Sequence, residues 1–188
     1  MEYEIKVKAP EGKKPVYDEK SQTITFVPID VKDVIKSYDD ACTYLRRNEV
    51  LPADSQLRAI VKLRTILDAL NGDHKFNLAK GDAWYPWVRF YEKCELPECI
   101  KDNIIGEFTL LNGEDYFLVG GYANYCGNTG IGCFHSSGGV GYASADIGLF
   151  ACKDRETAMY VSSQFGNLIF QAIYRHLVPY VLTSYKNV

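Results

Sequence analysis

The chain reads as an α+β protein: a mostly antiparallel sheet packed against two or three helices, with a long C-terminal helix. Three observations predict this. Asn112-Gly113 separates two strand-like runs, the strongest short-range signal for a hairpin. Residues 84–91 form a run of aromatic, strand-prone residues. Apolar residues recur at helical spacing in three stretches, the clearest at 158–173.

Taken in order, residues 1–29 are expected to form a small N-terminal β unit, and 30–188 a single α+β domain, together one globule. Glu4 to Lys8 alternates charged and apolar residues with period two, and Thr23 to Val27 is a second strand candidate. Pro10 to Pro15 reads as a turn, and Tyr17 to Ser21 as the reversal between the strands. Val31, Val34, Ile35, Tyr38, Cys42 and Leu45 then mark one helix with Asp30 as its N-cap. Pro52 sits near the start of the next, whose stripe is Leu57, Ile60, Val61, Leu67 and Leu70 and whose end is Gly72. Arg58, Lys62 and Arg64 are its solvated flank.

After a polar connector comes the aromatic strand, with Pro86 near its beginning. Proline cannot donate to a ladder, so an edge position or a bulge is expected. Glu107–Leu111 and Tyr116–Val119 are the hairpin strands. Residues 146–152 read as a buried strand. Asp154 caps the final helix, whose buried face is Ala158, Val161, Phe165, Leu168, Ile169, Ala172 and Ile173.

Composition narrows the function classes. A net charge of −3 gives duplex nucleic acid or an anionic membrane no electrostatic attraction. No run approaches the roughly 18 apolar residues of a membrane helix. The opening MEYEIKVK lacks the apolar core of a signal peptide, so a cytoplasmic location with six reduced cysteines is expected. No cofactor is expected.

One feature stands out against this background. The 30 residues from Tyr116 to Ala145 contain no Asp, Glu, Lys or Arg, in a chain that is 24% charged. They include eight glycines and four tyrosines. Ionised side chains are left out where a segment is buried or meets another surface. Tyr and small residues are also what adaptable recognition loops use. The candidate binding surface is therefore Tyr122, Tyr125, Phe134, His135 and Tyr142, with an unknown protein partner or a second copy of the chain as occupant.

The Tyr85-Pro86-Trp87 run, the Leu118 to Gly121 strand, the Gly/Ser-rich stretch, and the strand and capped helix from Gly148 to Phe165 resemble a family of proteins. These belong to Bacteroides-type gut bacteria and to their phages and mobile elements. The resemblance covers roughly residues 50–178. It implies a phage or mobile-element accessory protein, in host cytoplasm or with a virion. It implies no activity, because none is established for the family.

Other chemistry is weaker. Trp84, Tyr85, Trp87, Arg89 and Tyr91 could stack unpaired bases, as aromatic sheets do in single-strand binders. The negative net charge weighs against it, and a core strand is favoured. Cys133 or Cys126 as thiolate, with His135 or His74 as base, is the nearest approach to a nucleophile pair, but no acidic orienter lies close by. Cys126, Cys133 and His135, with Cys94 and Cys99 upstream, could offer zinc ligands, but their spacing lacks the Cys-x2-Cys knuckle. Neither a catalytic residue nor a metal ligand is expected. The glycines lack the following helix and lysine of a phosphate loop. His176 reads as a helix-end residue.

Overall fold

In a computed structural model of the chain, residues 6–76, 83–110, 113–126, 150–173 and 180–185 are described, without the side chains of 110, 122–126 and 180–185. The first element is a two-stranded antiparallel hairpin, β1 (Lys13–Asp18) and β2 (Thr23–Pro28). Its second strand falls where expected. The first lies later than expected: Pro15 is inside the strand, and residues 6–10 have no regular structure. Proline fits there because β1 is an edge.

The expected helix over 31–45 is two helices, α1 (Val31–Val34) and α2 (Tyr38–Leu45). The cause is a second capping signal. Ser37 Oγ accepts from the Asp40 N–H at 3.1 Å, and the Asp40 carboxylate accepts from the Lys36 N–H at 3.0 Å. Such reciprocal bonds start a helix afresh. Ile35, freed between the two, is fully buried, and its carbonyl accepts from the Tyr160 hydroxyl at 2.5 Å. Burial pushes that hydroxyl up to about 12.

Helix α3 (Ser55–Asn71) starts at Asp54, whose side chain accepts from the Leu57 N–H, and ends at Gly72. Arg58 is not simply solvated. Its guanidinium donates back to the carbonyls of Pro52 and Ala53. Lys62 lies over the Tyr38 ring, 5.2 Å from its centroid.

A four-stranded sheet follows, with strands β3 (Ala83–Glu92), β4 (Ile104–Leu110), β5 (Asp115–Cys126) and β6 (Tyr180–Tyr185) in the order β3-β5-β4-β6. Every described ladder is antiparallel. The Asn-Gly hairpin joins β4 to β5, and Gly113 supplies φ +88° in the turn. β3 is an edge strand, the first of the two readings of Pro86; Pro86 itself pairs in register with Ala123, and the register shift falls between Trp87 and Arg89. A single 3-10 turn, Glu98–Asn103, occupies the loop before β4. β6 was not anticipated: its six residues lie beyond the last periodic signal.

The long C-terminal helix is also two, α4 (Arg155–Gln164) and α5 (Gly166–Ile173), broken at Phe165. The break fits the sheet. A Cβ on Gly166 would lie 2.2 Å from Ile105 Cδ1 and 3.0 Å from Val88 Cγ1, so the helix pair seats a bare backbone on those two side chains.

Helices α4 and α5 pack on one face of the sheet, α3 packs on α5, and α2 on α3. The core lies between. Phe170 is fully buried, with its ring centroid 5.5 Å from that of Phe90 and 5.3 Å from that of Phe108. Leu63, Ile66, Leu70, Val161 and Ile169 complete its centre.

Candidate functional site

The described part of the charge-free segment, Tyr116 to Cys126, lies in β5, between β3 and β4. That position accounts for its lack of charge there. Leu118 and Val119 are 1% and 0% exposed, and an ionised side chain at either would lose its hydration without a partner. The two central glycines have separate reasons. Between the pairs Trp87↔Tyr122 and Arg89↔Val119, β3 contributes Val88 alone and β5 contributes Gly120 and Gly121. This is a β-bulge with a positive-φ glycine, Gly121 at +83°. A Cβ on Gly120 would lie 2.4 Å from the Ser162 carbonyl oxygen, so α4 can rest directly on the strand.

The aromatic strand β3 splits by alternation. Pro86 and Val88 are buried, Phe90 meets Phe170, and Trp84 packs against the core. Tyr85, Trp87, Arg89 and Tyr91 fall on the other face. The five residues expected to stack bases are therefore not one surface: Trp84 belongs to the helix side. The remaining four form a row. Tyr85, Trp87 and Tyr91 are half-buried and Arg89 is exposed, its guanidinium 4.6 Å from the Tyr91 ring centroid. On the neighbouring strand, Phe117 stands opposite Tyr91 with the Lys93 ammonium 5.5 Å from its ring centroid.

Charge on this face is largely neutralised. Lys93 pairs with Glu107 at 2.9 Å and with Asp115 at 3.8 Å, and the Glu107 bond holds its ammonium above the usual range. Arg89 makes no ion pair among the described residues.

The start of β3 is held on both sides. Ala83 pairs with Cys126 of β5, and Trp84 pairs with Cys152 across its other edge, with bonds of 3.0 and 2.7 Å. The chain on either side of residues 127–149 is thus fixed at one place, beside Tyr85. Asn71, at the end of α3, secures the return. Its amide donates to the Ala151 carbonyl at 2.8 Å and accepts from the Lys153 N–H at 3.0 Å. The Lys153 ammonium donates to the Leu70 carbonyl at 2.7 Å. Cys152 is fully buried, and that burial pushes its thiol well up, which makes it a packing group and not a nucleophile.

Of the expected binding residues, Tyr122 and Tyr125 occupy β5 opposite Trp87 and Trp84. Phe134, His135 and Tyr142 lie outside the described residues, as do Cys133 and His176. For Cys126 only the backbone is described. Cys94 and Cys99 are exposed, and no cluster of three metal-ligating side chains occurs among the described residues. His74 packs edge-on against Phe76 at 4.7 Å.

One cavity escaped sequence reasoning. A cleft of about 210 Å³ lies between the start of β4 and the junction of α4 with α5, lined by Asp102, Asn103, Ser163, Gln164 and Asn167 among others. Its two walls are about 60 residues apart in sequence, and no spacing rule connects them. No protein-family model, curated protein or solved structure matches the chain.

Proposed function

We propose that the chain is a non-enzymatic accessory protein that binds another protein through the aromatic surface on the side of the sheet away from α4 and α5. The observation that carries this is the row Tyr85, Trp87 and Tyr91 on the edge strand, continued by Phe117 on β5 and flanked by the uncharged segment. Aromatic side chains with few unpaired charges are cheap to desolvate and offer large contact areas. The resemblance to proteins of phages and mobile elements of Bacteroides-type bacteria would place such binding in a host cell or with a virion.

Single-stranded nucleic acid is the competing occupant, because the row also presents Arg89. Electrostatics disfavour it. Backbone phosphates need free cations, and Lys93 is already paired with two carboxylates. Two measurements decide between these occupants. The variant Tyr85→Asp/Tyr91→Asp should keep its circular dichroism but lose capture of its partner from a host or phage lysate. Oligonucleotide titration at low salt should show no salt-sensitive binding. Capture that survives both substitutions would defeat the proposal, and salt-sensitive oligonucleotide binding would replace it with the nucleic-acid alternative.

A further inference from the structure

The N-terminal hairpin has two outer edges, and they are not alike. In its register, Lys13↔Pro28 through Asp18↔Thr23, the Ile29 N–H donates to the Gly12 carbonyl at 3.0 Å. Hydrogen-bonded pairs in an antiparallel ladder alternate. The bonded pairs are therefore 12↔29, 14↔27, 16↔25 and 18↔23, and the main-chain groups of the other residues point outward. On β1 these are Lys13, Pro15 and Tyr17. The Lys13 N–H is taken by the Pro10 carbonyl at 3.1 Å, and Pro15 has none. With Lys13, Lys14 and Pro15 the edge is blunted in the way natural edge strands are.

The edge of β2 has no such protection. Thr23-Ile24-Thr25-Phe26-Val27 is uncharged and strand-prone throughout. The N–H and C=O groups of Ile24 and Phe26 face outward, and among the described residues no strand pairs with them. The hairpin is also poorly covered. All of β1 is exposed, Tyr17 by 59% and Val16 by 41%, and Ile24 by 40%. A lone two-stranded hairpin is marginal in water, whereas a wider sheet is not.

We infer that β2 pairs edge to edge with β2 of a second copy of this chain, making a four-stranded antiparallel sheet β1-β2-β2-β1 about a two-fold axis at Thr25. The self-complementarity of the strand selects this occupant and this register. With Thr25 opposite the second Thr25, Ile24 of each copy exchanges both bonds with Phe26 of the other. All four outward donors of Ile24 and Phe26 are then used. Pro28 falls opposite Gln22, beyond the start of the strand, where its missing N–H breaks no bond of Ile24 or Phe26. Moving the axis to Phe26 would set Ile24 against Pro28, which has no N–H to give. Moving it to Ile24 would set Phe26 against Gln22, whose φ of +53° takes it out of the strand.

The side chains agree with the backbone. On one face the row runs Tyr17, Ile24, Phe26, Pro15 across the four strands, so aromatic and β-branched groups stand side by side. On the other it runs Val16, Thr25, Thr25, Val16, with a threonine pair at the axis. No like charges meet. This surface is separate from the aromatic face of the larger sheet, and neither depends on the other.

Sedimentation equilibrium of the full chain should show a monomer–dimer equilibrium. Thr25→Lys places two ammonium groups opposite each other at the axis while leaving an exposed position in the monomer. It should raise the dissociation constant by about tenfold or more. Thr25→Cys, incubated with glutathione disulfide, should give a dimer whose 25–25 linkage is found by peptide mass spectrometry, with glutathione as the reduced product. Val16→Cys, on the far strand, should not cross-link. A wild-type chain that stays monomeric at every concentration overturns the inference. So does a dimer that Thr25→Lys leaves unchanged, or a Thr25→Cys chain that fails to cross-link while dimeric.

Discussion

Gly120 and Gly121 show how much can hang on two absent side chains. One lets the Ser162 carbonyl of α4 press on the strand, and the other holds the positive φ of a bulge. A methyl group at position 120 would stand 2.4 Å from a backbone oxygen that cannot swing aside as a flexible side chain could. Gly120→Ala should therefore cost about 1–3 kcal/mol in urea unfolding, since an overpacked site relieves itself only by moving α4. A loss below the error of the measurement would mean that α4 does not rest on β5 as described. The same pair of glycines was visible in the sequence as part of an uncharged, glycine-rich run. Its meaning was not, because the group that demands Gly120 is a carbonyl 42 residues later.

At the scale of elements, capping chemistry decided what hydrophobic periodicity could not. The stripe from Val31 to Leu45 reads as one helix, yet Ser37 and Asp40 start a second one inside it. The stripe from Ala158 to Ile173 likewise continues through the break at Phe165, because both helices turn the same face to the core. The antiparallel hairpin at Asn112-Gly113 was legible, since its signal is local. β6 was not, and neither was the bridge from Trp84 to Cys152, since both depend on partners distant in sequence. Asn71 holds that bridge in place through two main-chain bonds. Asn71→Leu removes both and leaves a donor and an acceptor without partners, at a cost of about 2 kcal/mol. Hydrogen exchange should speed up at the amides of Trp84 and Cys152. Unchanged protection there would show that the segment is secured by other contacts.

Among the described residues, two layers of helix lie on one side of the four-stranded sheet, and the stability of the whole molecule should fall in acid. The Lys32 N–H bond to Asp30 holds that carboxyl below its ordinary 3.8. Burial raises Asp154, but its bonds from Thr157 outweigh this and hold it below 3.8 as well. A depressed carboxyl contributes stability above its unfolded value and loses it as pH falls through the folded one. Unfolding free energy should thus decline from about pH 4 downward. Asp154→Asn keeps a capping side chain without the charge, so its decline should be shallower. An identical slope would assign the acid sensitivity to other groups.

What the sequence determined by itself is the local part: the α+β class, the helix starts at Asp30 and Asp154, the Asn-Gly hairpin and the edge character of the Pro86 strand. Each follows from residues within one turn or one strand of each other. Only the tertiary structure decided which aromatic residues share a face, why β5 carries no charge beyond Asp115, and where the cleft beside β4 opens. Those depend on neighbours brought together by folding, and a linear pattern of apolar and polar residues does not encode which neighbour covers which side.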